Sequence, residues 1–377
     1  MRYIRYKIEK QQINFLNCNK IDEWIDTCHT RDTDFIDVCV GNCECGSTVG
    51  LPSGTGSTTG STTGNTSGST TGSTIRTTVR GNGSSLVWLS DGGVEKFDKL
   101  LIDGVSVDTG TTRYAFNDNE IHNVDYFGVN NIESFFSTSH IITSVILYGL
   151  TTIGSDAFYG CERLTSVKIP SSVTSIGGSA FYDCIRLTSI TIPSSVTSIG
   201  GGAFINCNSL TSVTIPSSVT NIGKRVFYSC KRLTSVTIGS GVTKIDSYTF
   251  QYCSNLTSVK IPSSVTSIGD SAFYGCFSLT SVTIPNSLTN IGNEVFRGCS
   301  GLTSVTIGSG LKIIGNEVFR GCKSLSSITC YATTAPLFGS DVFYGLPKNG
   351  TLHVPSGSAY RSWLNSLPSG WKIEYLI

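Results

Sequence analysis

The chain has 377 residues, enough for two or three domains and a sizeable core. Lys and Arg total 27 against 26 Asp and Glu, a net charge of +1, so no bulk field draws the chain to nucleic acid or an anionic membrane. Charged residues make up only 14%, Ser and Thr fill about a quarter of the positions, and 4 His leave few general bases.

No apolar run reaches the length of a membrane span, so no membrane insertion is expected. The first ten residues, MRYIRYKIEK, carry positive charge with no apolar stretch behind them, which is not a secretory leader. The expectation is a chain that folds where it is made. Residues 1–50 hold Trp24 and five cysteines, and Ile21 to Thr27 suits a short helix. Cys28, Cys39, Cys43 and Cys45, near His29, are zinc-ligand types, but their spacing matches no pair of Cys-x2–4-Cys units. Buried thiols or an interface patch are the other readings of this cysteine-containing segment.

Residues 51–75 form a linker, since Ser53 to Thr74 is almost pure Gly, Ser and Thr. Coil statistics put its ends about 26 Å apart. Over residues 76–138, strand-like runs occur at Leu86–Leu89, Lys99–Ile102 and Val105–Val107, and Asp103-Gly104 marks a hairpin turn. A small β module is expected here, covering the open end of the repeat region that begins at residue 139, because an exposed sheet edge invites aggregation.

From 139 to 331 the chain repeats. Cysteines fall at 161, 184, 207, 230, 253, 276, 299 and 322, each step being 23 residues. Phe158 to Phe319 and Leu164 to Leu325 keep the same step without an insertion. In one unit Ile190 and Ile192 point one way and Ser189 and Thr191 the other, a short strand with one buried face. Pro193 ends it for want of an N–H. Val196 and Ile199 suit a second short segment, and Ala203, Phe204 and Cys207 fill the interior from the other side. A unit this small buries its apolar face only against its neighbours, which predicts a mainly β repeat solenoid, eight units spanning about 40 Å.

The segments Leu-x-x-Val-x-Ile-Pro, Val-x-x-Ile-Gly and Ala-Phe-x-x-Cys resemble the BspA-like class of leucine-rich repeats over about residues 139–377. Residues 332–377, with Ala332 to Pro336, Val342 to Gly345, Leu352 to Pro355 and Tyr360 through Trp371, look like that family's C-terminal cap. The resemblance implies adhesion or recognition rather than chemistry, and a class found in surface adhesins and in phage-like proteins of gut bacteria. It supplies no ligand.

The eight periodic cysteines read as small buried hydrophobes rather than a redox or metal array. Strand-spaced neighbours with parallel Cβ vectors are badly placed for disulfides, and unpaired thiols hint at a reducing compartment. Cys330 stands where other repeats have Ile and reads as a core substitution. No Ser/His/Asp set, phosphate loop or cofactor motif is supported, so the chain is read as a non-enzyme without a cofactor. The repeat acids form no column, and Glu294 and Glu317 are expected as exposed turn residues.

Two outward stripes compete as a binding surface. One is the Ser-x-Thr face of the strands, as in Ser212/Thr214, which also suits a plain solvated face or, as a remote alternative, a crystal-surface binder. The other flanks the cysteines, where identity changes on a fixed frame: Tyr159, Arg163, Tyr182, Arg186, Tyr228, Lys231, Arg232, Tyr274, Arg297 and Arg320. Tyr and Arg are the usual interface anchors, although tyrosines lying flat as packing would give the same pattern. The function expected is recognition of a host-surface or mucosal protein or glycan by a phage virion component that assembles in host cytoplasm and docks through residues 1–50. A bacterial cell-surface adhesin and an intracellular scaffold are the alternatives.

Overall fold

The computed structural model describes residues 132–376 continuously and, before them, Val129 and the stretches 2–7, 35–40, 74–80, 86–88, 99–107, 113–115 and 121–127. The helix expected at 21–27, the linker at 53–73, and Cys28, Cys43 and Cys45 lie outside the described residues. The chain divides into two units, Met1–Ser67 and Gly68–Ile377. In the first, Arg2–Lys7 pairs antiparallel with Phe35–Val40, a strand that carries Cys39. Arg2–Lys7 is charged and carries no clear strand signal, whereas Phe35–Val40, rich in aromatic and β-branched residues, carries one that the composition of residues 1–50 obscures.

The second unit is a mainly β solenoid of about ten turns. Each turn contributes two parallel strands. The longer ones, such as Ser212–Ile215 and Ser235–Ile238, pair in register so that Ser meets Ser, Val meets Val and Ile meets Ile. The shorter ones, such as Ser175–Ile176 and Ser198–Ile199, stack the same way on a second face. Alternation does the sorting: in Ser212–Ile215 the two apolar residues are buried and the two hydroxyls exposed. Pro216 or its equivalent ends the first strand, and Val219 turns the chain back inward.

The third side is a corner without strands. Phe158 through Phe319 are fully buried there and stack face to face at 5.1–5.8 Å. The stack also includes Phe136, 5.3 Å from Phe158, so the corner begins one turn before Phe158 and ahead of residue 139. A 22-residue step hides that turn from a 23-residue pattern. Asp103 and Gly104 take φ of 48° and 82° in the hairpin joining Lys99–Ile102 to Val105–Val107. Thr74–Arg80 lies between Ile121–Phe127 and the first solenoid strand Ile142–Tyr148, antiparallel to both, and so covers that strand's outer edge. Arg76 holds the buried carboxylate of Asp125 with two hydrogen bonds, 2.6 and 2.9 Å long. At the other end Gly350–Pro355, the helix Arg361–Ser366 and Trp371–Leu376 close the stack, with Trp363 buried and its indole N–H donating to the Pro336 carbonyl.

The cysteine ladder is free and buried throughout. Each thiol donates to the carbonyl of the Phe one turn earlier, as Cys230 Sγ does to Phe204 O at 3.1 Å. Burial pushes the thiols up, to about 12 for Cys161, Cys230 and Cys299. They are inert protonated donors. Cys330 is likewise buried, paired beside Ile307, and accepts a hydrogen bond from the Tyr360 hydroxyl. Part of the Ser and Thr excess is also structural. Thr188 and Thr234 donate to the carbonyls of Thr165 and Thr211 one turn back, and Ser195 and Ser218 to those of Val173 and Val196.

Candidate functional site

The Tyr/Arg stripe lies along the corner. Each corner turn carries two residues in the left-handed region, as Asp156 and Gly160 do at φ of 54° and 67°. Between them the chain points Ala157 and Phe158 inward and Tyr159 outward. Alternate backbone N–H groups donate to the next turn: Asp156 to Gly178, Phe158 to Ala180 and Gly160 to Tyr182, at 2.7–2.9 Å. The frame is therefore fixed while the outward side chain is free to vary.

The ten expected residues separate into three groups. Tyr159 and Tyr182 are half-buried and stack on each other at 4.7 Å. Tyr228 and Tyr274 stand two turns apart, bridged by Tyr252, which meets both edge-on at 5.8 and 5.3 Å. Tyr252 belongs to the second left-handed position (φ 60°), where the next turn has Gly275. A Cβ on Gly275 would fall 2.8 Å from the Tyr252 ring, so that glycine makes room for it. The sequence signal for Tyr252 is a tyrosine in a column of small residues. Burial and neighbouring acidic or phenolic groups raise the hydroxyl pKa of Tyr182 and Tyr252, which keeps both protonated at neutral pH.

Arg297 and Arg320 form the second group, and they are not open cations. Arg297 Nη1 lies 3.2 Å from Glu294 and 2.7 Å from Glu317, and its guanidinium sits over the Tyr274 ring. Arg320 reaches Glu317 and Asp341, each at 3.3 Å, and covers Tyr344. The Glu317–Arg297 contact is a charge contact rather than an aligned hydrogen bond, since Glu317 Oε2 has no hydrogen-bond partner. Two expectations are corrected here. Glu294 and Glu317 are half-buried members of an alternating ion ladder, not exposed turn residues. Asp156, Glu294, Glu317 and Asp341 also share one position of the repeat, the first left-handed one, so the acids do form part of a column.

Arg163, Arg186, Lys231 and Arg232 make the third group. They are exposed on the stretch between each Cys and the next long strand. On another corner, Thr283, Pro285, Asn286, Thr306, Gly308 and Tyr331 line an open groove of about 670 Å³, with no charged side chain in its lining. Among the described residues no cluster of three or more metal-ligand side chains exists, and no helix is long and apolar enough to cross a membrane. Of the expected metal set only Cys39 falls on a described strand, and its side chain is not described. The corner offers aromatic edges, phenol hydroxyls and cations on a rigid frame, the groups of a binding surface.

A parallel β stack with consensus Leu, Val, Ile, Phe and Cys ladders defines a leucine-rich-repeat solenoid, a binding fold that is typically non-enzymatic. Residues 130–257 and 243–360 match the BspA type leucine-rich repeat region, in 6 copies. That span is more than half of the chain, and the chain belongs to this family. Among solved structures it is similar to a leucine-rich repeat protein of T. pallidum, with 27% identity, 62% of this chain and 91% of that one covered, and a TM-score of 0.41. A leucine-rich repeat protein of Bacteroides ovatus matches at 23% identity over 70% of this chain and 90% of its own, TM-score 0.37. A leucine-rich cell surface protein of Faecalibacterium prausnitzii matches at 28% over 64% and 86%, TM-score 0.32. No curated protein sequence matches.

Proposed function

We propose that the chain is a recognition protein that binds a surface protein or glycan along the corner ridge of Tyr159, Tyr182, Tyr228, Tyr252 and Tyr274. One observation carries this reading. The buried Phe, Cys and Leu columns keep one residue type in every turn, while the outward corner position runs Tyr159, Tyr182, Ile205, Tyr228, Gln251, Tyr274, Arg297 on the same backbone. Identity that varies on an invariant frame is what selective binding needs. The family supports a protein-binding or adhesion role at this coarser level.

The test is binding of the labelled full chain to mucin-coated surfaces and to a panel of bacterial cells. Replacing Tyr159, Tyr182, Tyr228 and Tyr274 with Ser should abolish the binding seen, with the circular dichroism spectrum retained. Unchanged binding by the folded variant rules the ridge out.

Display on a phage virion, with residues 1–50 as the docking piece, rests on layout. A separate unit ends at Ser67, and the run of Gly, Ser and Thr from Ser53 to Thr74 spaces it from the repeats. Deleting residues 1–50 should then abolish incorporation into particles and leave the solenoid's melting unchanged. Full incorporation of the truncated chain defeats the docking idea. Display on a bacterial surface predicts instead that the protein is found outside the membrane in cells free of phage.

A further inference from the structure

The charge along the ridge is unevenly compensated. Lys224, Arg225, Lys231 and Arg232 fall within nine residues on one turn, on either side of Tyr228, and all four are exposed. Among the described residues, none of the four stands in an ion pair. The same positions one turn earlier hold Gly201, Gly202, Asn208 and Ser209, and one turn later Ser247, Tyr248, Ser254 and Asn255. No carboxylate therefore occurs at these four positions in either neighbouring turn. The nearby acids are engaged: Asp183 accepts from the Asn206 amide at 2.7 Å, and Asp246 pairs with Lys244 at 3.5 Å. Further along, Arg297 and Arg320 each have a carboxylate on both sides. In a chain of net charge +1, this turn is a local excess of positive charge with no internal partner.

Arg225 is also oriented. Its guanidinium lies 4.8 Å above the Tyr248 ring, which supports the planar group while its edge N–H donors remain open to an outside acceptor. The residues beside Lys231 and Arg232 in the neighbouring turns are amides and hydroxyls, Asn208, Ser209, Ser254 and Asn255, while Tyr228, Tyr248 and Tyr252 supply aromatic faces against which a sugar ring can lie. A protein interface gathers apolar side chains at its centre. Here the exposed apolar side chains at the Lys231 position, Ile185 and Phe277, stand two turns away on either side. Hydroxyls and amides around a cationic centre fit sugar hydroxyls and an acidic substituent better than a folded protein face.

We propose that the turn 224–232 is the anion subsite of the ridge and that its ligand is an acidic glycan, carrying sulfate or carboxylate groups. This inference rests on the recognition reading and names its ligand chemistry. The experiment measures binding of the full chain to immobilised heparin, hyaluronan and poly-L-glutamate. Heparin carries sulfate, hyaluronan only carboxylate, and polyglutamate is the acidic-peptide arm. The expected result is binding to heparin or hyaluronan that weakens with added salt. Substituting Lys224, Arg225, Lys231 and Arg232 together with Ser should weaken it roughly tenfold or more, from four exposed charge contacts.

Unchanged binding in that variant overturns the site. Polyglutamate bound as tightly as the better glycan overturns the glycan assignment and points to an acidic protein. If neither glycan is retained while mucin stripped of sialic acid and sulfate is still bound in a tyrosine-dependent way, the acidic ligand is wrong and the recognition reading stands.

Discussion

Truncating Phe227 to Ala tests whether the aromatic corner is what holds adjacent turns together. The ring is fully buried between Phe204 at 5.3 Å and Phe250 at 5.6 Å, nearly parallel to both. A buried Phe→Ala change costs about 3–5 kcal/mol, including the loss of two ring contacts worth roughly 0.5–1.5 kcal/mol each. The site has little freedom to collapse. Phe227 N–H is bonded to Thr249 O at 2.9 Å, and Phe204 N–H to Val226 O at 2.8 Å, so the backbones stay apart when the ring is gone. The upper part of the range, about 4–5 kcal/mol, is therefore expected. In a solenoid this loss falls on one nearest-neighbour interface. Urea unfolding followed by circular dichroism should move to a lower midpoint and split into two steps. Thiol labelling should reach Cys207, Cys230 and Cys253 before Cys299 and Cys322. A shift worth less than about 1 kcal/mol, with a single transition, would refute the reasoning.

Other outcomes rest on the same contacts. Gly223→Ala places a Cβ 2.4 Å from Gly201 N, a backbone clash between turns, and should cost more than about 2 kcal/mol in thermal melts, whereas Gly178→Ala meets nothing nearer than 3.4 Å and should be neutral or slightly stabilising. The thiols are held protonated in the fold, with Cys230 pushed up to about 12 against an ordinary value of 9.0. Their contribution is whole below pH 9 and is lost as pH rises toward 12, by about 1.4 kcal/mol per pH unit for each thiol ionised only in the unfolded chain. Melting temperature should drop steeply above pH 9, and the native protein should resist iodoacetamide at pH 8. A flat melting profile to pH 10.5 contradicts that. Arg297→Ala leaves Glu294 without its cation and Glu317 with Arg320 alone, and should cost about 1 kcal/mol in low salt and less in 1 M NaCl. Equal costs at both salt levels would mean the ladder is packing alone.

Much of this fold is written in single columns, and those are the parts a sequence reveals. Phe158 to Phe319 and Cys161 to Cys322 each recur at one step because each of these sites meets its own kind one turn away. The Asp103-Gly104 hairpin is equally local, since a turn needing two positive φ values selects such a pair. What stays hidden depends on pairings between columns. Thr74–Arg80 joins the sheet antiparallel, between strands distant in sequence, and no periodicity marks it. Arg297 reaches Glu317, 20 residues on, through the stacking of turns, so the ion ladder cannot be read from one unit. Tyr252 escapes a column-by-column reading because it stands one residue beyond the expected column, in a slot that Gly275 leaves open. The rigid frame of the site is thus legible, while the grouping of its side chains into an aromatic run, a closed ion ladder and an open cationic turn is not.

The central claim is that binding runs along the corner and not along the flat strand face. Two folded variants separate these surfaces: one with Tyr159, Tyr182, Tyr228 and Tyr274 replaced by Ser, the other with the exposed Ser212, Thr214, Ser235 and Thr237 replaced by Lys. Both are measured by biolayer interferometry against the best-bound surface of the mucin and cell panel. The account predicts that the corner variant loses binding and the strand-face variant keeps it. Loss only in the strand-face variant would contradict it and move recognition to the Ser-x-Thr ladder.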